Sequence, residues 1–273
     1  MKRVVTLYRV STKGQVDKQD DIPMQRRECM DFIERQKDWQ FTAEFMEKGV
    51  SGYKVSASKR DAIQEIRTLA EKYAGQIDVF CGLEFDAECP TPAIGYDYLI
   101  GSMHYVYRDG ERFPVDGRCE YFARAVEHYG SGLAFAKAYF EALCTLPDFG
   151  NFDIVGHFDL VSKNVERSTL LDPEDPAYIK AGITAIDALT GRIPFFEVNT
   201  GAIARGYRTA PYPAPAFLRA FRERGFGAVI SSDCHDAAFL DCGFSDAVAL
   251  LKAHGFTERY ILTRDGFRAV ALE

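Results

Sequence analysis

From residue 77 onward, short apolar runs rich in Val, Ile and Phe alternate with amphipathic stretches of helical period. That alternation leaves few folds open, because strands separated by helices form βαβ units and a largely parallel sheet. The pattern predicts strands at Ile77–Leu83, Tyr98–His104, Asp153–Phe158, Phe195–Asn199 and Ala228–Ser232. It predicts helices at Cys119–His128, Ala134–Leu146, Pro176–Thr190, Pro215–Arg224 and Ser245–His254. With 47% hydrophobic residues in 273, the chain has ample material for a core. No apolar run approaches the roughly 20 residues that span a bilayer, so no membrane partner is expected. The first residues turn polar too soon for a signal peptide. Seven scattered cysteines without a C-x-x-C pair argue against a disulfide framework or a four-cysteine zinc site. They read as reduced thiols in a cytoplasmic protein.

The first 68 residues have a different character. They carry 14 Lys+Arg against 11 Asp+Glu, a net of +3, leaving 19 against 29, a net of −10, for the remainder. Arg3–Val10 reads as a buried strand, Met24–Lys37 as a helix, Trp39–Phe45 as a second strand and Asp61–Tyr73 as an amphipathic helix. Tyr8-Arg9-Val10-Ser11-Thr12, Ile22-Pro23-Met24-Gln25 and the 49–66 stretch GVSGYKVSASKRDAIQEI follow in an order that resembles the serine recombinases, the resolvase/invertase family. The resemblance implies Ser11 as a nucleophile toward a DNA phosphodiester. Arg9 and Arg60 would neutralise the phosphate, and Gln25 would help position it. Guanidinium groups suit that role because they meet phosphate oxygens in bidentate fashion. The family's Asp-Arg-x-x-Arg cluster has no counterpart here, since no arginine follows the Ile77–Leu83 segment until Arg108. The bland reading of Ser11 is a serine that turns the chain after a strand.

Four motifs at expected strand ends carry metal-ligand chemistry: Gly82-Leu83-Glu84-Phe85-Asp86, Ile100-Gly101-Ser102-Met103-His104, Ile154-Val155-Gly156-His157-Phe158-Asp159 and Ser231-Ser232-Asp233-Cys234-His235. Carboxylates and imidazoles suit zinc, iron or manganese. Three of the five histidines fall in these motifs, while His128 and His254 fall on expected helices and read as solvated. Asp233 and His235 are two apart, so an extended backbone would point both to one face.

Together with KYAGQIDVFCGLEFD, FDIVGHFDLVSK and FFEVNTGAIARGYRTAPYPAP, these motifs resemble the PHP family, and within it the histidinol phosphatases, over about residues 66–273. The resemblance implies a distorted seven-stranded βα barrel with a three-metal cluster that hydrolyses L-histidinol phosphate in histidine biosynthesis. By position, Glu84 would bridge two metals, and His104 and His157 would complete one site. Asp233 would serve the second metal and His235 the third, with Arg205 and Arg208 on the substrate phosphate. The family's opening His-x-His and its Asp-His pair are absent, because the first histidine of the chain is His104. A full trinuclear cluster is therefore not expected, although Glu84, His104 and His157 could still form one site.

The expectation is thus an incomplete, distorted (β/α)7 PHP-type barrel over 69–273, preceded by a small resolvase-like βα segment over 1–68, with the seam inside the Asp61–Tyr73 helix. The first strand would fill part of the gap left by the missing barrel strands. Two alternatives stay open: a DNA-acting recombinase fragment and a catalytically inactive chimera.

Overall fold

The structure is a computed structural model that describes residues 2–10, 30, 39–48, 61–76, 78–87 and 95–273. The chain divides into two compact units. One comprises Met1–Gly82, Cys89–Asp97 and Cys234–Leu240; the other comprises Leu83–Glu88, Tyr98–Asp233 and Asp241–Glu273.

In the first unit, β1 (Lys2–Val10) pairs in parallel with β2 (Trp39–Lys48), with one register shift between Val4 and Val5. Helix α1 (Asp61–Lys72) buries Ile63 and Leu69 along one stripe, and Tyr73 just beyond it, with Gln64, Arg67 and Thr68 exposed between them. That spacing is the amphipathic pattern read from the sequence. The expectation that the first strand and its helix fill part of the gap left by the missing barrel strands finds no support in the pairing of β1. β1 and β2 form a two-stranded sheet of their own, and among the described residues the five-stranded sheet takes no member before Gly82. One edge of β1 is paired with β2, the neighbouring strand of the same βα segment. The helix expected over 24–37 lies, except for residue 30, outside the described residues.

The second unit is built on a five-stranded sheet of β3 (Gly82–Asp86), β4 (Tyr98–Ser102), β7 (Ile154–Val155), β8 (Phe195–Asn199) and β9 (Gly227–Ser231), in that spatial order. β4, β7, β8 and β9 pair in parallel. A sheet that runs in chain order without reversing has the winding of a βα barrel rather than of a doubly wound sheet. Helices α2 (Cys119–Tyr129) and α3 (Gly132–Cys144) precede β7, α4 (Pro176–Leu189) joins β7 to β8, and α6 (Pro215–Glu223) joins β8 to β9. The single turn α5 (Gly201–Ala204) follows β8, and α7 (Phe244–Ala253) follows β9. The signals at the helix starts are physical. Pro176 and Pro215 sit in first turns, where a missing N–H costs nothing. The Asp175 carboxylate accepts from the Ala177 amide at 2.7 Å.

The core between helices and sheet is aromatic. Phe140 lies 5.3 to 5.8 Å from the rings of Phe158, Tyr178 and Phe217, and Phe196 stacks on Phe221 at 4.3 Å. All six are at most 1% exposed. Gly182 lets α4 approach α6, since a Cβ there would lie 2.3 Å from the Phe217 ring.

Two hairpins were not expected from the sequence. β5 (Tyr105–Arg108) and β6 (Glu111–Pro114) are joined by Asp109-Gly110, both at positive φ (54° and 78°), as a type I′ turn requires. β10 (Glu258–Thr263) and β11 (Gly266–Ala271) form the second, whose Tyr260 and Phe267 rings pack 4.9 and 4.5 Å from Phe195. The first hairpin also corrects the reading of His128. That side chain is 30% exposed, lies against the Phe113 ring at 4.6 Å and reaches Asp109 at 3.4 Å, so it is packed rather than solvated. His254 is half-buried, with Nδ1 2.8 Å from the Leu250 carbonyl at the end of α7.

Candidate metal centre

The sheet presents its chemistry through one repeated offset. His104 stands two residues past the end of β4, His157 two past β7 and Asp233 two past β9. In a βα barrel these positions surround the C-terminal mouth. Glu84 differs from expectation: the strand begins at Gly82, not at residue 77, so Glu84 lies inside β3 rather than after it. Its neighbour Phe85 points the other way, is 4% exposed and packs 5.4 Å from the Phe152 ring. Strand alternation therefore puts Glu84 and Asp86 together on the open face.

Glu84, His104 and His157 form the one group among the described residues in which three ligand atoms converge, all within 4.8 Å of one another. Glu84 Oε1 is 3.0 Å from His157 Nε2 and 3.5 Å from His104 Nε2. The Ser102 hydroxyl donates to the same oxygen at 2.8 Å. The two imidazoles meet edge to face with centroids 4.9 Å apart. His104 Nδ1 contacts Asp86 Oδ2 at 2.9 Å.

Gly156 makes this convergence possible, because a Cβ there would stand 2.6 Å from the Ser102 hydroxyl and 2.9 Å from Ile100. The His157 backbone N–H donates to the buried Glu197 carboxylate at 2.8 Å. Asn199 donates to Glu197 at 3.0 Å, and its own carbonyl oxygen accepts from Gly201 N at 2.9 Å. The turn after β8 is thereby tied to the loop that carries His157.

The electrostatics follow from depth and pairing. Burial pulls the His157 imidazole down, but the hydrogen bond and charge of Glu84, with Glu197 and Asp233 behind, push it up to about 9. Burial would raise Glu84, yet the contact and charge of His157, with His104 and Ser102, bring it down to about 2. The Glu84 side chain is 42% exposed, whereas that of His157 is 6% exposed, so the pair is open to solvent from the Glu84 side. His104 is also raised: burial opposes protonation, and Asp86 and Glu84 overcome it.

The other sequence candidates make different contacts. Asp233 is not in the three-residue group. Its Oδ2 accepts from the Arg205 guanidinium at 2.8 Å and its carbonyl oxygen accepts from the same side chain at 2.9 Å. β9 ends at Ser231, and Asp233 has φ 42°. The extended backbone that would aim Asp233 and His235 to one face is therefore absent. His235 belongs to the first unit and is exposed. Arg208 is 8% exposed; it donates to the Ser162 hydroxyl, lies 4.0 Å from the fully buried Asp159 and stacks over Tyr212. Its guanidinium is a member of a core ion pair and is not a solvated loop charge. Ser11, Gln25 and Arg60 lie outside the described residues, and Arg9 is on β1. Sequence reasoning missed Asp86, Ser102, Glu197 and Asn199. The spacings Glu84-x-Asp86 and Glu197-x-Asn199 on strands carried the signal for three of them.

Residues 4–86 match the family model described as Resolvase, N terminal domain. The match reaches past residue 68 and includes β3. The chain is 32% identical over 201 residues to the "probable histidinol-phosphatase" of Deinococcus radiodurans, covering 71% of each protein. It is 27% identical over 213 residues to the protein of the same name in Schizosaccharomyces pombe, covering 71% of this chain and 66% of that one. The crystal structure of histidinol phosphate phosphatase from Lactococcus lactis, complexed with Zn, L-histidinol and phosphate, superposes with a TM-score of 0.59 at 17% identity. That superposition covers 98% of both chains and shows the shared fold. A resolvase-type N-terminal domain opens the chain, and on the strength of the Deinococcus relative the chain belongs to the histidinol-phosphatase family.

Proposed function

We propose that residues 69–273 form a phosphomonoesterase acting on histidinol phosphate, with one divalent metal ion held by Glu84, His104 and His157. The observation that carries this reading is the convergence of those three side chains in a chain of this family. The donor set fits. Two imidazoles and one carboxylate, with further positions open, are a common catalytic zinc set. Ligand atoms about 2.0–2.1 Å from a tetrahedral ion stand roughly 3.3 Å apart. The separations of 3.0 and 3.5 Å from Glu84 Oε1 bracket that value. Zinc, iron and manganese all accept such donors. A three-ion cluster would need more ligands than this group, and the family's His-x-His and Asp-His ligands have no counterpart in the sequence.

A bound divalent ion would polarise the phosphoryl oxygens and lower the pKa of a coordinated water toward ~7. The chain's own residues do the rest. Ser102 fixes Glu84 from one side, and Glu197 fixes the backbone of His157. Arg205 is 34% exposed; it holds Asp233 with two nitrogens and keeps further donors for a phosphate group. Arg208 acts behind it by anchoring the loop. Cys119, Cys144 and Cys242 are free thiols, which fits a reducing cytoplasm.

Phosphate release from histidinol phosphate, measured beside metal content, tests the reading. We expect turnover that disappears with the metal in His157→Ala. A metal-loaded chain without turnover would leave the inactive chimera as the better account.

The match to the resolvase N-terminal domain favours a second reading for residues 1–68: DNA as partner, with Ser11 as nucleophile and Arg9 and Arg60 on the phosphate. Salt-sensitive DNA binding and a covalent Ser11–DNA adduct are its expected signatures. Unchanged adduct formation in Ser11→Ala would refute it.

A further inference from the structure

We propose that Asp86 is a positioning residue: its carboxylate holds the proton of His104 on Nδ1 and aims Nε2 at the ion shared with Glu84 and His157. The proposal rests on the metal site just described and assigns a further residue to it.

The placement begins in β3. Residues two apart on a strand share a face, so the strand that delivers Glu84 to the cleft delivers Asp86 beside it. Phe85 anchors the opposite face at 4% exposure, which fixes the rotation of the strand. His104 enters from the segment after β4, and its two ring nitrogens face the two carboxylates separately. Nδ1 is 2.9 Å from Asp86 Oδ2, a hydrogen-bond distance, whereas Nε2 is 3.5 Å from Glu84 Oε1, too long for one. A neutral imidazole has one N–H and one lone pair. With the N–H directed to Asp86, the lone pair faces the cleft where Glu84 and His157 meet. A carboxylate behind a metal-bound imidazole orients the ring and raises its basicity.

The second histidine lacks this support. His157 Nδ1 is buried and has no hydrogen-bond partner among the described residues. Its ring is held by packing, edge-on to His104 and 6.4 Å from the Tyr212 ring. The two imidazoles are therefore unequal, and removal of Asp86 acts on the centre through His104.

Zinc titrated alone into the full chain, with Asp86→Ala, Asp86→Asn and Glu84→Ala compared with the wild type, tests the assignment. We expect about 10- to 100-fold weaker zinc binding in Asp86→Ala. A smaller loss is expected in Asp86→Asn, whose amide oxygen still accepts from Nδ1. Nitrogen-15 NMR of the metal-free chain, at a pH high enough for His104 to be neutral, should show its proton on Nδ1 in the wild type and a mixture of tautomers in Asp86→Ala. A merely structural role would not move that signal. Wild-type zinc affinity in Asp86→Ala, with binding abolished in Glu84→Ala, overturns the role of Asp86 and leaves the metal site standing. An unaltered tautomer signal also overturns it. No zinc binding by the wild type would overturn the metal reading itself, and this proposal with it.

Discussion

Gly156 is the position where packing and the proposed chemistry meet most tightly. A methyl group there would stand 2.6 Å from the Ser102 hydroxyl, 2.9 Å from Ile100 Cγ2 and 3.6 Å from Glu197 Oε2. Ordinary contact begins near 3.5 Å, so Ser102 has to give by about 0.9 Å and Ile100 by about 0.6 Å. Neither is the loose end of a flexible side chain. Ser102 is fully buried and donates to Glu84, and Ile100 pairs with Ile154 across the β4–β7 ladder. Overpacking of this kind costs about 1–3 kcal/mol. Loss of the Ser102–Glu84 hydrogen bond to a charged acceptor adds roughly 1.5 kcal/mol. We therefore expect Gly156→Ala to lose about 2.5–4.5 kcal/mol in urea unfolding of the metal-free chain and to bind zinc more weakly. Ser102→Ala removes both the clashing oxygen and the bond to Glu84. The double variant should cost less than the sum of the singles by about 1 kcal/mol or more. Strict additivity, or a neutral Gly156→Ala, would refute the argument that Gly156 exists to bring His157 beside Ser102 and Glu84.

The Glu84–His157 pair makes the metal-free chain's stability depend on pH. His157 is raised from 6.5 to about 9, so its contribution is complete below 6.5 and is lost as pH rises through 9. Glu84 is lowered from 4.5 to about 2, so its contribution is complete above 4.5 and is lost as pH falls through 2. Wild type minus Glu84→Gln should peak between pH 4.5 and 6.5, at about 1 kcal/mol given the exposure of Glu84; a flat difference across pH 4 to 10 would contradict the pairing. Gly182→Ala, which drives a methyl into the Phe217 ring, should cost about 1–3 kcal/mol in the same assay, and an unchanged midpoint would deny the close approach of α4 to α6. Phe140→Ala should cost about 3–5 kcal/mol, because it empties the centre of the aromatic core; a loss below 1 kcal/mol would show the core is not built around it.

Much of this fold is legible in the sequence, and the parts that are not have identifiable causes. Helices of the second unit end within about two residues of where period and caps place them, as with Pro176–Leu189 and Pro215–Glu223. Strand Phe195–Asn199 matches residue for residue. The run Ile77–Leu83 misleads because apolar, β-branched residues mark burial as readily as pairing, and only Gly82 onward joins the ladder. Both hairpins carry an Asp-Gly signal, at Asp109-Gly110 and Asp265-Gly266, that outweighs their poor alternation.

In the site, motifs at strand ends placed Glu84, His104 and His157 near one mouth, and the structure brings those three together. Spacing does not reveal the positive φ of Asp233, which breaks the expected alternation from Asp233 to His235. The burial of Arg208 depends on Asp159 and Ser162, some 46 to 49 residues earlier, and no local pattern reveals such a partner.

The account stands on one cation between Glu84, His104 and His157, and anomalous diffraction from zinc-loaded crystals looks at that cation directly. The expected result is a single strong peak within bonding distance of Glu84 Oε1 and of an imidazole nitrogen from each histidine. A peak confined to Asp233 and His235, or crystals that take up no zinc while the three side chains remain ordered, would contradict it.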